Sequence, residues 1–258
     1  NVVHHAANSW YRTLLARLLG RRNITVWILG LMLGGIFILL GLDLKNSYKY
    51  TQESAHRDAE HIVKLIEREV NHVLTKSDLI LQEAVRTYSK DMNKSNPPSL
   101  EKRAEINQKL LYLMNNIPET QKDSLRLIDS DGNVMFNAGS TAELPKVYVG
   151  DRNYFLRQKT ETNAGLVVSE PLLSRFTGKW LVVLSQRMNH PDGSFAGVAQ
   201  VAVRADALQQ TFERISLDSQ AAITLFDSEV RLVSRHPLIP DQLGKQFAAT
   251  QLQEAFAK

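Results

Sequence analysis

The sequence predicts an α+β protein with one N-terminal transmembrane helix, a long stalk helix and then units built on antiparallel sheets. Three observations lead to this arrangement. An uncharged apolar run near the N-terminus is long enough to span a bilayer, a helical hydrophobic period follows it, and short β-type runs separated by turn residues come later. The length of 258 residues, of which 43% are hydrophobic, is sufficient for a buried core.

The formal charge of +4 argues against a nucleic-acid-binding protein once the charges are located. The first 22 residues contain four arginines and no acidic residue, so the remaining chain balances its 27 acidic residues with basic ones. A phosphate-binding surface needs cations clustered on the folded part of the chain. We therefore expect no nucleic-acid partner.

The apolar run from Ile24 to Leu42 contains no charged residue. Its length predicts a transmembrane helix over residues 23–43, and the arginines before it place a cytoplasmic tail at residues 1–22. We therefore expect anchoring in a bacterial inner membrane, with the later residues in the periplasm. A cleaved signal peptide is the alternative, although its apolar run is usually shorter. Residue 1 is Asn, so we expect the natural protein to begin earlier.

Residues 44–118 are predicted to form two helices. Apolar residues recur at spacings of three, four or seven along the first one, namely Ala55, Ala59, Ile62, Ile66, Val70, Val73, Ile80, Ala84 and Tyr88. The remaining faces are charged, and we expect a second copy of the chain to cover part of this helix in a homodimer. The segment Lys94–Pro98 should end it, and Ser99 should cap a second helix that starts at Leu100 and runs to Ile117.

Residues 119–206 have the pattern of a small antiparallel sheet with one helix. Asp131-Gly132 and Asp192-Gly193 favour tight turns between neighbouring strands. Arg152–Thr160 is too polar for a strand and predicts a short helix. The expected strands are Leu125–Ile128, Val134–Asn137, Gly165–Ser169, Trp180–Arg187 and Ala196–Val203.

An internal repeat suggests a second unit of the same kind over residues 207–258. Leu127–Val134 aligns without a gap to Leu225–Leu232, at an offset of 98 residues, and each segment follows a helical stretch. A repeated domain is the simplest explanation, and chance similarity is the alternative. A repeated unit would begin near Gln220 and need strands beyond Lys258, so we expect this unit to be incomplete here.

No catalytic motif is present in the sequence, which lacks nucleophile elbows, phosphate-binding loops and cysteine. His61 and His72 lie on one helical face but about 16 Å apart, which is too far to share a metal. The run from Asp129 to Asn133 resembles part of a calcium loop but has Ser140 where the last acidic ligand belongs, which favours a hairpin turn. We expect no metal and no cofactor.

Three arginines lie among aromatic residues in the stretch from Val149 to Arg187. Guanidinium groups beside aromatic rings suit a pocket for a small anion, because guanidinium binds carboxylate at two points and the rings exclude water. The alternative is structural: the first two arginines would pair with Asp151 and Glu170, and the rings would belong to the core. The arginines are Arg152, Arg175 and Arg187, and the aromatic residues are Tyr154, Phe155 and Trp180.

At these residues the sequence resembles the double Cache sensors, which are tandem PAS-like periplasmic domains. The resemblance extends over about residues 45–250 and is most specific over residues 125–206. The matching motifs are D-R-x-Y-F at Asp151–Phe155, G-L-x-x-S-E-P at Gly165–Pro171, S-R-x-x-G-K-W at Ser174–Trp180, P-D-G-S-F-A-G-V at Pro191–Val198 and V-x-A-D at Val203–Asp206.

The resemblance implies a ligand-binding unit that holds a small metabolite such as a carboxylate or an amino acid. Arg152 and Tyr154 would line the helical wall of the pocket. The strand residues would be Arg175, Trp180 and Ser185, with Asp206 at the lower edge. The R-x-W-Y pattern of the family's amino-acid sensors is missing here, which argues against an α-amino-acid ligand.

The resemblance also implies a transmembrane receptor whose cytoplasmic output module lies beyond this sequence. The motifs look most like those of sensors fused to diguanylate cyclases, followed by histidine kinases and chemoreceptors. A membrane-tethered periplasmic binding protein without an output module is the competing hypothesis, and a hydrolase with an unrecognised site is a third one.

Overall fold

The computed structural model describes residues 3–92, 98–115, 122–140, 147–215, 222–239 and 241–248. They belong to two compact units, residues 1–61 and residues 62–258. The first unit is helical and includes the beginning of α1, which spans Val3–Tyr88. Within it, Trp27–Tyr50 is long and apolar enough to cross a membrane, with a mean hydropathy of 2.2. This segment overlaps the span predicted from the sequence.

In the second unit, α1 packs through the hydrophobic stripe that the sequence predicts. Val73, Ile80, Ala84 and Tyr88 are all buried there, whereas Ala59, which belongs to the first unit, is exposed. The helix ends at Tyr88 and is followed by a 3₁₀ turn over Ser89–Asp91. Most of the predicted stop Lys94–Pro98, namely residues 94–97, lies outside the described residues.

Helix α2 (Leu100–Met114) begins as predicted, because the Ser99 hydroxyl accepts a hydrogen bond from the Lys102 amide at 3.2 Å. It ends at Met114, three residues before the predicted Ile117, which lies outside the described residues. The buried side of α2 packs with α1 against one face of the sheet.

The sheet of the second unit is antiparallel and has the order β2-β1-β6-β5-β3, with β4 pairing β5 as well. All five predicted strands are present, although Gly165–Ser169 is reduced to two residues. Strand β4 was not predicted from the sequence. The strands are β1 Lys122–Asp129, β2 Val134–Asn137, β3 Val167–Val168, β4 Leu172–Leu173, β5 Trp180–Asn189 and β6 Phe195–Arg204.

The two faces of the sheet have separate hydrophobic cores, because side chains alternate along each strand. Leu125, Leu127 and Leu184 face α1 and α2. Ile128, Val183 and Ala202 point the other way, towards α3 (Asn153–Thr160). The predicted helix Arg152–Thr160 is therefore confirmed, with Arg152 as its N-cap residue. The mixed α+β fold class is confirmed as well.

Beyond β6 the chain forms α4 (Ala205–Ile215) and the hairpin of β7 (Ile223–Phe226) and β8 (Leu232–His236). This hairpin reproduces the β1–β2 turn at the predicted offset. The Asp129 carboxylate accepts backbone hydrogen bonds from Asp131 and Asn133, and the Asp227 carboxylate accepts the equivalent bonds from Glu229 and Arg231, all at 2.9 Å.

The correspondence between the two turns extends to residues further along the chain. Isolated bridges join Asn133 to Tyr148 and Arg231 to Gln246, again 98 residues apart. Gly132 has a φ of 95° and Val230, at the equivalent position, has a φ of 61°. The similarity between the two segments is therefore a similarity of backbone structure and not only of residue type.

Candidate functional site

A cavity lies on the sheet face that carries α3. It encloses about 290 Å³ of empty space, including the solvent at its mouth. The strands contribute its base, the N-terminus of α3 forms one wall, and the loop between β4 and β5 forms another. The lining residues are Arg126, Val149, Arg152, Tyr154, Leu172, Ser174, Arg175, Phe176, Leu181, Val183, Gln200 and Ala202.

Arg126 supplies a buried guanidinium group at the base of the cavity. Its residue is only 5% exposed, because its strand position directs it to the α3 face of the sheet. A guanidinium nitrogen lies 3.6 Å from the Asp123 carboxylate, and the guanidinium carbon lies 3.9 Å from the centre of the Phe176 ring. Burial lowers the pKa of Arg126, while Asp123 opposes that shift. Its Nε has no hydrogen-bond partner among the described residues.

Gln200 lies beside Arg126, since the two residues are paired across β1 and β6. The Gln200 side chain is buried, and its Oε1 also lacks a hydrogen-bond partner among the described residues. An unpaired buried polar atom costs about 1–3 kcal/mol. The base of the cavity therefore offers one donor and one acceptor that a bound molecule could satisfy.

Arg152 and Tyr154 line the cavity from α3, as the sequence analysis expected. Arg152 Nη2 donates a hydrogen bond to the Leu173 carbonyl at 3.0 Å, which connects α3 to β4. Tyr154 is only 3% exposed, and burial raises the pKa of its hydroxyl, which therefore stays protonated. The two residues supply a cation and a neutral aromatic wall.

Arg175 lines the cavity from the β4–β5 loop, and its guanidinium is paired with Asp151. Arg175 Nη1 and Nη2 each donate to an Asp151 carboxylate oxygen at 2.7 Å, and Nη1 also donates to the Tyr148 carbonyl at 2.6 Å. These hydrogen bonds lower the Asp151 pKa to about 2. The structural alternative is correct for this pair. The alternative does not hold for the other arginine, because Arg152 donates to the Leu173 carbonyl and Glu170 accepts its hydrogen bond from Asn153.

Trp180, Ser185 and Asp206 lie outside the lining of this cavity. Trp180 is on the opposite sheet face from its neighbour Leu181 and contacts Gly244. Ser185 is fully buried, and its hydroxyl donates to the Val167 carbonyl at 3.3 Å.

Asp206 lies in the first turn of α4, where it forms an ion pair with Arg204. Arg187 is also outside the lining. It donates hydrogen bonds to the carbonyls of Gln158 and Lys159 near the end of α3, at 2.6 and 2.9 Å. Its role in the structure is to hold that helix against the sheet.

Arg126 and Gln200 were not predicted from the sequence, although one signal was available. Each is a polar residue inside a β-type run, Leu125–Ile128 and Ala196–Val203 respectively. A polar side chain in a strand that is covered on both faces must be paired or must line a cavity. His61 and His72 are exposed on α1. Among the described residues no group of His, Cys, Asp and Glu is suited to a metal.

Comparison with known families gives one match, to the family described as Cache domain, over residues 47–257. No curated protein sequence matches the chain. Several solved structures share the fold. The extracellular domain assigned to the histidine kinase rpHK1S-Z16 is 24% identical with a TM-score of 0.60, and the match covers 75% of this chain and 76% of that one.

Two further structures have lower sequence identity. The sensor domain of the V. cholerae histidine kinase DctB is 13% identical with a TM-score of 0.55, over 77% of this chain and 74% of that one. The sensory domain of the Campylobacter jejuni chemoreceptor Tlp3, with isoleucine bound, is 14% identical with a TM-score of 0.53, over 80% and 79%. At these identities the likeness establishes the fold.

Proposed function

Because the chain belongs to the Cache domain family, we propose that it is the sensing part of a transmembrane receptor. It binds a small molecule outside the cytoplasm and passes ligand occupancy to a cytoplasmic output domain. The cavity on the α3 face of the sheet is the observation that carries this proposal, because it combines a concave apolar lining with a few convergent polar groups.

The proposed ligand contacts are Arg152, Tyr154 and Arg175, which all line the cavity. Arg152 attracts the anionic end of the ligand, and Tyr154 covers its apolar part. Arg175 is occupied by Asp151, so its contribution is to fix the β4–β5 loop and to add positive potential. The ligand class is a small carboxylate or an amino-acid-like metabolite.

The output domain is proposed to be a diguanylate cyclase, on the resemblance of the motifs between Gly165 and Val203. A histidine kinase is the second candidate, because two of the solved structures with this fold are named as histidine kinase domains. The apolar segment Trp27–Tyr50 would anchor the receptor in the inner membrane. The receptor would act as a homodimer with the sensor in the periplasm.

A thermal-shift screen tests the binding proposal. The purified chain in detergent is melted with a library of small carboxylates, amino acids, amines and sugars, since a ligand that binds only the folded state raises the melting temperature. For a carboxylate hit, Arg152→Ala should weaken affinity about ten- to a hundredfold, as expected for the loss of a charge-assisted hydrogen bond. A library without any hit would contradict the proposal.

Arg157→Ala provides the matched control for that variant. Arg157 lies on the same helix, is exposed, and pairs with Glu161 at 3.1 Å, and it does not line the cavity. The Arg157→Ala variant should bind the ligand as tightly as the unaltered chain does. Equal ligand-induced shifts in both variants would mean that Arg152 is not a ligand contact.

A further inference from the structure

Resting on the function proposed above, we infer that the ligand is a small 2-hydroxy monocarboxylate, with its carboxylate on Arg126 and its hydroxyl on Gln200. Neither residue was predicted as a ligand contact. The inference follows from the unpaired atoms at the base of the cavity and from the charges around it.

The two unpaired atoms require opposite partners. Arg126 Nε is a donor and suits a carboxylate oxygen, whereas Gln200 Oε1 is an acceptor and suits a hydroxyl or another donor. Residues paired across antiparallel strands have side chains about 5 Å apart on one face, and Arg126 is paired with Gln200. A carboxylate and a hydroxyl on adjacent carbon atoms can therefore meet both groups together.

The charges favour a monoanion. Of the three arginines that line the cavity, Arg175 is neutralised by Asp151 and Arg126 lies near Asp123. Arg152 donates to the uncharged Leu173 carbonyl, so its positive charge is the one that a carboxylate bound to Arg126 balances within the same cavity. A monocarboxylate balances that charge, whereas a dicarboxylate would leave an excess negative charge.

An ammonium group has no suitable partner in the cavity. None of the described lining residues is acidic, and the two nearby carboxylates already face arginines. Burying an ammonium group without a carboxylate is expensive, so an α-amino acid should be rejected. The donor that satisfies Gln200 is consequently an uncharged hydroxyl.

The packing around Arg126 limits how a carboxylate can approach it at the base of the cavity, which is open to solvent at its mouth. One face of the Arg126 guanidinium is covered by the Phe176 ring, so the carboxylate must approach in the guanidinium plane, where the N–H groups point. A short chain then extends towards Leu172 and Tyr154.

Calorimetric titration of the full chain in detergent tests the assignment with matched sets of probes. Each set has one carbon skeleton of three to five carbons and contains the 2-hydroxy acid, the deoxy acid and the amino acid, for example lactate, propionate and alanine. The hydroxy acid should bind about tenfold more tightly than the deoxy acid. The amino acid should bind about a hundredfold less tightly than the hydroxy acid.

Two variants assign these preferences to residues. Gln200→Leu should reduce the hydroxy-to-deoxy affinity ratio to about one, while Gln210→Leu, on the exposed side of α4, should preserve it. The double variant Asp123→Asn with Arg126→Met removes both members of the buried pair and leaves no unpaired charge. It should weaken all carboxylates about ten- to a hundredfold.

The outcomes separate this inference from the proposed function. Tightest binding by an amino acid or an amine, or a hydroxyl preference that survives Gln200→Leu, overturns the inference and leaves the receptor proposal standing. The absence of binding by every probe and every library compound overturns both. If the double variant fails to fold, the Gln200→Leu ratio still decides the outcome.

Discussion

Gly132, in the turn between β1 and β2, should not tolerate even a methyl group. A Cβ atom on Gly132 would lie 2.3 Å from Gly150 Cα and 2.5 Å from Gly150 N, and the residue has a φ of 95°. The left-handed backbone costs an L-residue about 1–2 kcal/mol, and displacing packed atoms costs about 1–3 kcal/mol. Gly132→Ala should therefore lower the free energy of unfolding by about 2–5 kcal/mol.

The ligand should also bind more weakly to Gly132→Ala, because Gly150 directly precedes Asp151 and Arg152 at the cavity. Urea unfolding of the full chain in detergent, followed by far-UV circular dichroism, measures the stability loss. Gly193→Ala is the matched control, since Gly193 has a φ of 84° but nothing within 4 Å of the added Cβ. That control should lose only about 1–2 kcal/mol.

Equal losses of stability in the two glycine variants would refute the argument that the Gly132–Gly150 approach is tight. The repeated turn offers a reciprocal test. Val230 has a φ of 61° at the position equivalent to Gly132. Val230→Gly should raise the free energy of unfolding by up to about 1 kcal/mol, since relief of strain slightly exceeds the entropic cost of glycine. A clear loss of stability would contradict that reasoning.

Four further predictions concern the ion pair, the core, the topology and the assembly. Arg175 lowers the Asp151 pKa from 3.8 to about 2, so the pair should stabilise the fold above about pH 4 and lose that effect as the pH falls towards 2. The stabilities of the unaltered chain and of Asp151→Asn, measured by acid titration, should therefore converge at the acid end. Parallel curves would contradict this. Gln158→Leu should cost about 1–3 kcal/mol of stability, because the buried Gln158 amide donates hydrogen bonds to two carbonyls at 2.9 and 2.8 Å. Urea unfolding measures this loss, and an unchanged unfolding midpoint would show that water replaces the Gln158 amide as the donor. A reporter fused after Lys94 should be active only in the periplasm, and activity in the cytoplasm would reverse the topology. Sedimentation of the full chain in detergent should show a dimer. Leu79 is exposed on α1, so Leu79→Glu should disrupt that dimer. A monomer at high micromolar concentration of the unaltered chain would exclude the homodimer.

Local patterns were sufficient to predict most elements of the fold. The stripe on α1, the Ser99 cap and the Asp-Gly turns depend on interactions between residues close in the chain, so the sequence expresses them directly. The repeat at an offset of 98 residues was also visible in the sequence. Its aspartates form hydrogen bonds within their own turns, so each turn needs the same residue type at the same position. Strand β4 was missed, since a two-residue strand such as Leu172–Leu173 leaves no period to detect.

The candidate site was predicted less completely. The arginines among aromatic residues, together with the family resemblance, pointed to Arg152, Tyr154 and Arg175, and all three line the cavity. Ser185 and Asp206 were expected there as well but lie outside its lining. Trp180 was also expected there but lies on the other face of β5, because adjacent residues of a strand point in opposite directions. The alternation of side chains along β5 separates Trp180 from Leu181 in the sequence already. It excludes Trp180 from the cavity only when the structure shows which face of the sheet carries that cavity.

The sequence by itself determined the order of the elements, the apolar segment, the turn geometry and the family, because these follow from residues that are near one another in the chain. Only the tertiary structure decided which guanidinium groups are available to a ligand. Arg175 is occupied by Asp151, 24 residues away, whereas Arg126 is brought beside Gln200 by strand pairing. A charge is free or neutralised according to partners from distant segments, and folding alone brings those partners together.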